Sequence, residues 1–166
     1  FALFGQGIAG ALSAARDPDA CDQALSRLLL QLEEIEGRFG EQSLGFIGGR
    51  ADSEPFASAG ALAAHVEQVL KRPVTLVDTA RGAIKKVAWC TGGAQGYFEA
   101  AIAAGADAFL TGEISEPQAH YARETGVAFL ACGHHATERY GAPAVAGHVA
   151  AQLGLVHEFI DIDNPA

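Results

Sequence analysis

The stretch Gly133-His134-His135-Ala136-Thr137-Glu138-Arg139 sets two imidazoles and a carboxylate within five consecutive positions. His134 and Glu138 are four apart, so on a helix they share one face. Imidazole nitrogen and carboxylate oxygen on one rigid face are donors suited to a divalent metal. The apolar run Val127-Ala128-Phe129-Leu130-Ala131-Cys132 precedes them and reads as a buried strand, with Gly133 turning the chain off its end. The carboxyl end of a parallel strand is where open α/β sheets usually bind ligands. The plainer reading is a helix N-terminus with Thr137 and Glu138 as solvated first-turn residues.

Two more strand ends carry polar groups. Val87-Ala88-Trp89-Cys90 runs into Thr91-Gly92-Gly93-x-x-Gly96, and Ala106-Asp107-Ala108-Phe109-Leu110 runs into Thr111-Gly112-Glu113. In a parallel sheet, Thr91, Glu113 and His134 share one edge. Glu113 is then a candidate acid/base group or a partner for the second nitrogen of a ligand His; as the alternative it only caps a helix. The glycines could leave amides free for a phosphate or carboxylate, but they lack the endings of the known nucleotide loops, and a tight turn explains them equally well. His120 is a further candidate for the cleft. His65, His148 and His157 read as surface or core residues.

Positioning these groups takes a regular alternation of elements. A helix is expected from Asp19 to about Glu36, with Leu25, Leu28, Leu29, Leu32 and Ile35 on its apolar face and a solvated acidic tail. A short strand region spans 40–49. Ser58 caps a helix that Pro73 stops, and 74–77 is a strand. After the strand at 87–90 come a helix at 95–104, the strand at 106–110, a helix at 116–124 with Pro117 in its first turn, and the strand at 127–132. A helix at 135–153, with possible kinks at Pro143 and Gly147, leads to a last strand at 157–162 that alternates with period 2. Strand-helix repeats of this length predict an α/β fold with a parallel or mixed sheet.

The 166 residues are 49% hydrophobic, enough for one ordinary domain or two small ones. A net charge of -9 argues against nucleic acid or an anionic membrane as the main partner. Lys71-Arg72 and Lys85-Lys86 are the only close basic pairs, though a local patch could hold a small phosphate ester. Cys21, Cys90 and Cys132 form no CxxC pair and suggest free thiols in a reducing, cytoplasmic compartment. The chain begins at Phe1 and contains no Met, so a fragment or processed chain is expected. Residues 3–15 read as a helix packed on a partner, and no stretch resembles a membrane span.

With these residues in view, the sequence resembles the Nif-three-like family of dinuclear metal-centre hexameric proteins, described as GTP cyclohydrolase I type 2 homologues. Val87-Ala88-Trp89-Cys90-Thr91-Gly92-Gly93, Asp107-Ala108-Phe109-Leu110-Thr111-Gly112-Glu113, the Gly133–Arg139 stretch and the ending Phe159-Ile160-Asp161-Ile162-Asp163-Asn164-Pro165-Ala166 carry the resemblance. It is close over 84–166, looser over 37–78, and absent over 1–36. It implies a three-layer fold with an α/β middle domain (37–130) and a metal-motif segment (131–166) completing another α/β domain whose amino-terminal half is missing; residues 1–36 read as a helical segment outside the resemblance. It further implies that His134 is a metal ligand and Glu138 a bridging one, that each subunit holds two divalent ions (Zn, Mn, Fe, Mg or Ni), and that subunits form a hexameric ring. The family's other ligands come from its amino-terminal half, as a His-His pair and a close His and Asp. Before position 120 this chain has only His65, so it carries part of the site.

Two functions follow. The first is a metal-dependent hydrolase acting on a nucleotide-like or phosphate-ester small molecule, with Glu113 and Glu138 as catalytic candidates and His134 and Glu138 on the metal. The second is a metal-binding assembly or regulatory protein without turnover.

Overall fold

A computed structural model describes residues 34–39, 45–49 and 54–166, the first of these segments as backbone. The expectations for 1–33, including the helix at 3–15 and Cys21, lie outside the described residues. Six strands form one mixed sheet in the order β1-β2-β4-β5-β6-β3: β1 (Glu34–Phe39), β2 (Gly45–Gly49), β3 (Thr75–Val77), β4 (Val87–Trp89), β5 (Ala108–Thr111) and β6 (Ala128–Ala131). The central β4, β5 and β6 are parallel. On one flank β2 runs antiparallel to β4 and β1 antiparallel to β2; on the other, β3 runs antiparallel to β6.

The central strands are apolar at every position because both sheet faces are covered, as parallel strands require. Period-2 alternation sends Val87, Trp89, Ala108, Leu110, Ala128 and Leu130 to one face. There they pack against Leu62, Val66 and Leu70 of α1 (Ala59–Leu70). Ala88, Phe109 and Phe129 go to the other face, meeting Phe98 of α2 (Phe98–Ala103) and Ala122 of α3 (Glu116–Thr125). Phe98, Phe109 and Phe129 form an aromatic cluster with centroids 4.9 to 5.6 Å apart. The result is the expected three-layer α/β architecture with a mixed sheet.

Local signals in the sequence act as expected at several ends. The Ser58 hydroxyl accepts from the Ala61 amide at 3.1 Å, capping α1. Lys71 ends that helix in the left-handed region at φ 56°, ahead of Pro73. A 3-10 turn at Gln95–Tyr97 opens α2.

Three expectations are corrected. Residues 34–36 belong to β1 rather than to a helix: the Leu/Ile period there is overridden by pairing with β2. The single helix at 135–153 is two, α4 (His134–Glu138) and α5 (Gly141–Leu153). Pro143 has no N–H and its ring would meet the carbonyl of Arg139, so the helix restarts with Pro143 in its first turn instead of kinking there. The strand expected at 157–162 has no ladder partner; β3 stands beside β6, and 155–166 run as irregular, exposed chain. No described helix is long and apolar enough to cross a membrane.

Candidate functional site

The carboxyl ends of β4, β5 and β6 each deliver a glycine, and the three are stitched together. The Gly92 carbonyl accepts from the Gly112 amide at 2.9 Å and from the Thr111 hydroxyl at 3.0 Å. The Gly112 carbonyl accepts from the Gly133 amide at 2.9 Å. The Gly92 amide donates to the Thr137 hydroxyl at 3.0 Å, and that hydroxyl donates to the Gly133 carbonyl at 3.0 Å. Thr137 is 1% exposed. It is therefore a buried lock between β4 and α4, not the solvated first-turn residue of the plainer reading. The Gly92 amide, engaged in this way, is not free for a phosphate.

A hydroxyl is the only group Thr137 offers to Gly92, so Thr137→Val leaves a buried amide without a partner. The expected loss is about 1–3 kcal/mol of folding stability, read from urea midpoints at unchanged slope, with Thr137→Ser closer to the parent.

On this frame Glu113 and His134 of the expected edge meet, with Glu138 rather than Thr91 as the third member. His134 stands between two carboxylates: Nδ1 lies 2.5 Å from Glu113 Oε1 and Nε2 lies 3.0 Å from Glu138 Oε2. Both partners are acceptors when ionised, so in this arrangement both ring nitrogens donate and the ring carries a positive charge. The His134 pKa is raised above 6.5, first by the hydrogen bond to Glu113, with the charge and hydrogen bond of Glu138 adding to it and burial opposing it. The side chains of His134, Glu113 and Glu138 are 40%, 46% and 52% exposed, so solvent reaches all three. Glycines make room for the carboxylates. A Cβ on Gly92, whose φ is 69°, would overlap the Glu138 carboxylate, and one on Gly93 would touch both Glu113 and His134 at 3.4 Å.

A raised histidine pKa gives stability that is fully present below the unfolded value near 6.5 and is lost as pH rises through the folded value. In metal-free protein, the stability advantage over Glu113→Gln is therefore expected to shrink from pH 6 toward pH 9. NMR titration of the His134 ring checks the cause: its midpoint should lie above 6.5 and drop in the variant.

The other histidines fall elsewhere. His135 Nε2 is 3.4 Å from Asp161 Oδ1, facing the carboxyl-terminal residues rather than the cluster. His120 is exposed, 3.8 Å from Glu116 on its own helix, and does not enter the cleft. His65 packs against Phe56 at 5.6 Å, while His148 and His157 are exposed. Cys90 and Cys132 are buried, and burial pushes the Cys132 thiol well above its ordinary pKa, which makes it inert.

Three features near the cluster were not assigned to it from sequence. Arg72 donates from Nη1 to Ala166 O at 2.9 Å and from Nη2 to the Pro165 carbonyl at 3.0 Å. Asp161 receives Arg139 Nη1 at 2.9 Å, and the His135 amide donates to Ala166 O at 3.2 Å. The ending thus lies along α4 and walls the cavities around His134. The ending's period-2 pattern pointed to a strand instead.

As a metal site the cluster fits in kind and falls short in number. His134 Nε2 and Glu138 Oε2 converge, and Glu113 holds the far nitrogen, the arrangement that sets the tautomer of a ligand histidine. Among the described residues, no group of three or more His, Cys, Asp or Glu side chains is placed to hold an ion; zinc sites use at least three protein ligands.

Comparison with known proteins identifies relatives of the chain. A relative in Allochromatium vinosum named "GTP cyclohydrolase 1 type 2 homolog" is 57% identical over 102 residues, 61% of this chain and 40% of that protein. One of the same name in Neisseria meningitidis is 50% identical over 131 residues, 79% of this chain and 51% of that one. The chain thus spans about half the length of such relatives. Among solved structures, one titled as the structural-genomics protein ybgI of unknown function matches with a TM-score of 0.77 and 39% identity, covering 86% of this chain and 55% of that one. A Thermus thermophilus structure, TTHA1606, shares the fold with a TM-score of 0.69 at 21% identity, over the same shares of the two chains. The model of the Duf34/NIF3 (NGG1p interacting factor 3) family matches residues 13–165, and this chain belongs to that family.

Proposed function

We propose that this chain supplies part of a divalent-metal site in a hydrolase acting on a nucleotide-like or phosphate-ester substrate. The observation that carries the reading is the capture of one imidazole between two carboxylates at the carboxyl edge of the parallel strands. Glu113 holds Nδ1, so Nε2 is the nitrogen turned toward Glu138. His134 Nε2 and Glu138 are the atoms that would hold an ion. A bound ion would supply Lewis acidity and a water activated near neutral pH. Glu113 and Glu138, both open to solvent, are the groups able to take up a proton from that water or return one to a leaving group. Since His134 must give up its Nε2 proton for a ligand, metal affinity rises with pH.

The name shared by the relatives supports a nucleotide-like substrate. The family resemblance supports two ions per subunit, drawn from Zn, Mn, Fe, Mg or Ni, and a homo-oligomer, a hexameric ring. Buried thiols fit a cytoplasmic setting. The test is calorimetric titration of zinc or manganese into residues 1–166 and into a protein carrying the additional length found in the relatives. Weak binding by the shorter chain and binding tighter by orders of magnitude in the longer one are expected. Tight binding of two ions by the shorter chain would mean that its ligand set is larger than His134 and Glu138.

The family description, an interacting factor, favours one other reading: a metal-binding assembly or regulatory protein. It predicts ion binding and assembly with no hydrolysis on any added metal.

A further inference from the structure

The short helix α4 presents two rows of side chains, each with i, i+4 spacing. His134 and Glu138 form the row that meets Glu113. His135 and Arg139 each come one residue later, so their row lies about 100° round the helix. That second row meets a single carboxylate. Asp161 Oδ2 accepts from Arg139 Nη1 at 2.9 Å, and Asp161 Oδ1 lies 3.4 Å from His135 Nε2. One side chain of the carboxyl-terminal chain thus holds both residues that directly follow the two site residues.

A helix of this length does not keep its own shape in water, so its neighbours decide how it sits. Ala136 and Thr137 are buried at 3% and 1% exposure and set how deep it lies. A single buried side cannot by itself fix rotation about the helix axis. Asp161 supplies the second hold. Its two oxygens reach residues one turn apart, which resists both rotation and sliding. The contact to Arg139 is charge-assisted, and the Arg139 side chain is only 23% exposed. Glu138, at 52% exposed, follows wherever that rotation carries it.

We propose that Asp161 is a positioning residue: through Arg139 and His135 it sets the rotation of α4, and so the approach of Glu138 to His134 Nε2. The assignment deepens the hydrolase reading, in which those two groups would hold the ion, and it is made on the geometry of the metal-free protein.

The test is NMR of the metal-free protein, with the nuclear Overhauser effect between the His134 ring and the Glu138 side chain as readout. Asp161→Ala is expected to abolish it. Asp161→Asn, which keeps an acceptor for Arg139 without the charge, falls in between and carries the test if the Ala variant unfolds. Asp163→Ala, the same truncation two residues on at an exposed position, leaves the signal at the parent's strength. Arg139→Gln behaves like Asp161→Ala, and the double variant goes no further, since both remove one contact. Melting temperatures stay near the parent's, because a part-exposed ion pair contributes little to stability. An unchanged signal in Asp161→Ala, or an equal loss in the Asp163 variant, overturns the assignment. So does a lowered melting temperature with the signal intact, the mark of a mere tether for the chain ending. In a protein carrying the additional length found in the relatives, Asp161→Ala is expected to weaken zinc binding about 10-fold, the low end for a residue that orients a ligand. A parent of that length that binds no zinc, with the signal still dependent on Asp161, sinks the metal reading and leaves the positioning role standing.

Discussion

Glu138→Gln is expected to reduce metal-dependent hydrolysis by at least about 10³-fold, the scale of lost metal and acid/base function together. The substitution is nearly isosteric, and an amide oxygen can still accept from His134 Nε2, so the 3.0 Å contact and the fold survive. What disappears is the negative charge. A neutral amide is a poor ligand for a divalent ion and cannot carry a proton. Turnover by a protein carrying the additional length found in the relatives, with zinc or manganese and measured beside calorimetric ion affinity, checks both losses. Retained turnover would exclude Glu138 from the chemistry. Lost affinity in a protein that shows no turnover at the outset would instead favour the assembly reading.

The largest structural effect is expected at Gly112. A Cβ there would stand 2.6 Å from the Gly92 carbonyl oxygen and 2.7 Å from the His134 Cα. Both are backbone atoms, so no side chain can swing aside; the turn from β6 into α4 must move. Gly112→Ala is expected to cost about 1–3 kcal/mol or somewhat more, the range for overpacking a close-packed site. It also separates His134 from Glu113, returning the His134 midpoint toward its ordinary value. Gly96→Ala is the control, because nothing lies within 4 Å of its added methyl. Urea denaturation and the His134 NMR titration read the two effects separately.

The parallel centre of the sheet was legible because each strand is a continuous apolar run bounded by glycine, a pattern that burial on both faces imposes. The same pattern predicted that Glu113 and His134 share an edge, since parallel strands in register end together. Thr137 was not legible: on a helix surface and in a buried lock it has the same sequence neighbourhood, and only the position of Gly92 decides. Residues 157–162 misled for a related reason. Alternation records which faces differ, not whether a strand stands alongside. Arg72, 61 positions from Gly133 in sequence, meets it only through the antiparallel return of β3 beside β6.

The five-residue α4 has a consequence for transplantation. An isolated helix that short is not stable in water, so the spacing of His134 and Glu138 is imposed by Thr137, by the glycine carbonyls and by the chain ending laid across it. Residues 133–139 copied onto a loop of another protein would lose that spacing, and a synthetic peptide of the same sequence would bind ions no better than any flexible His/Glu peptide. The smallest unit that could be grafted with its geometry intact is the set of three strand ends, which together span more than forty residues of the chain.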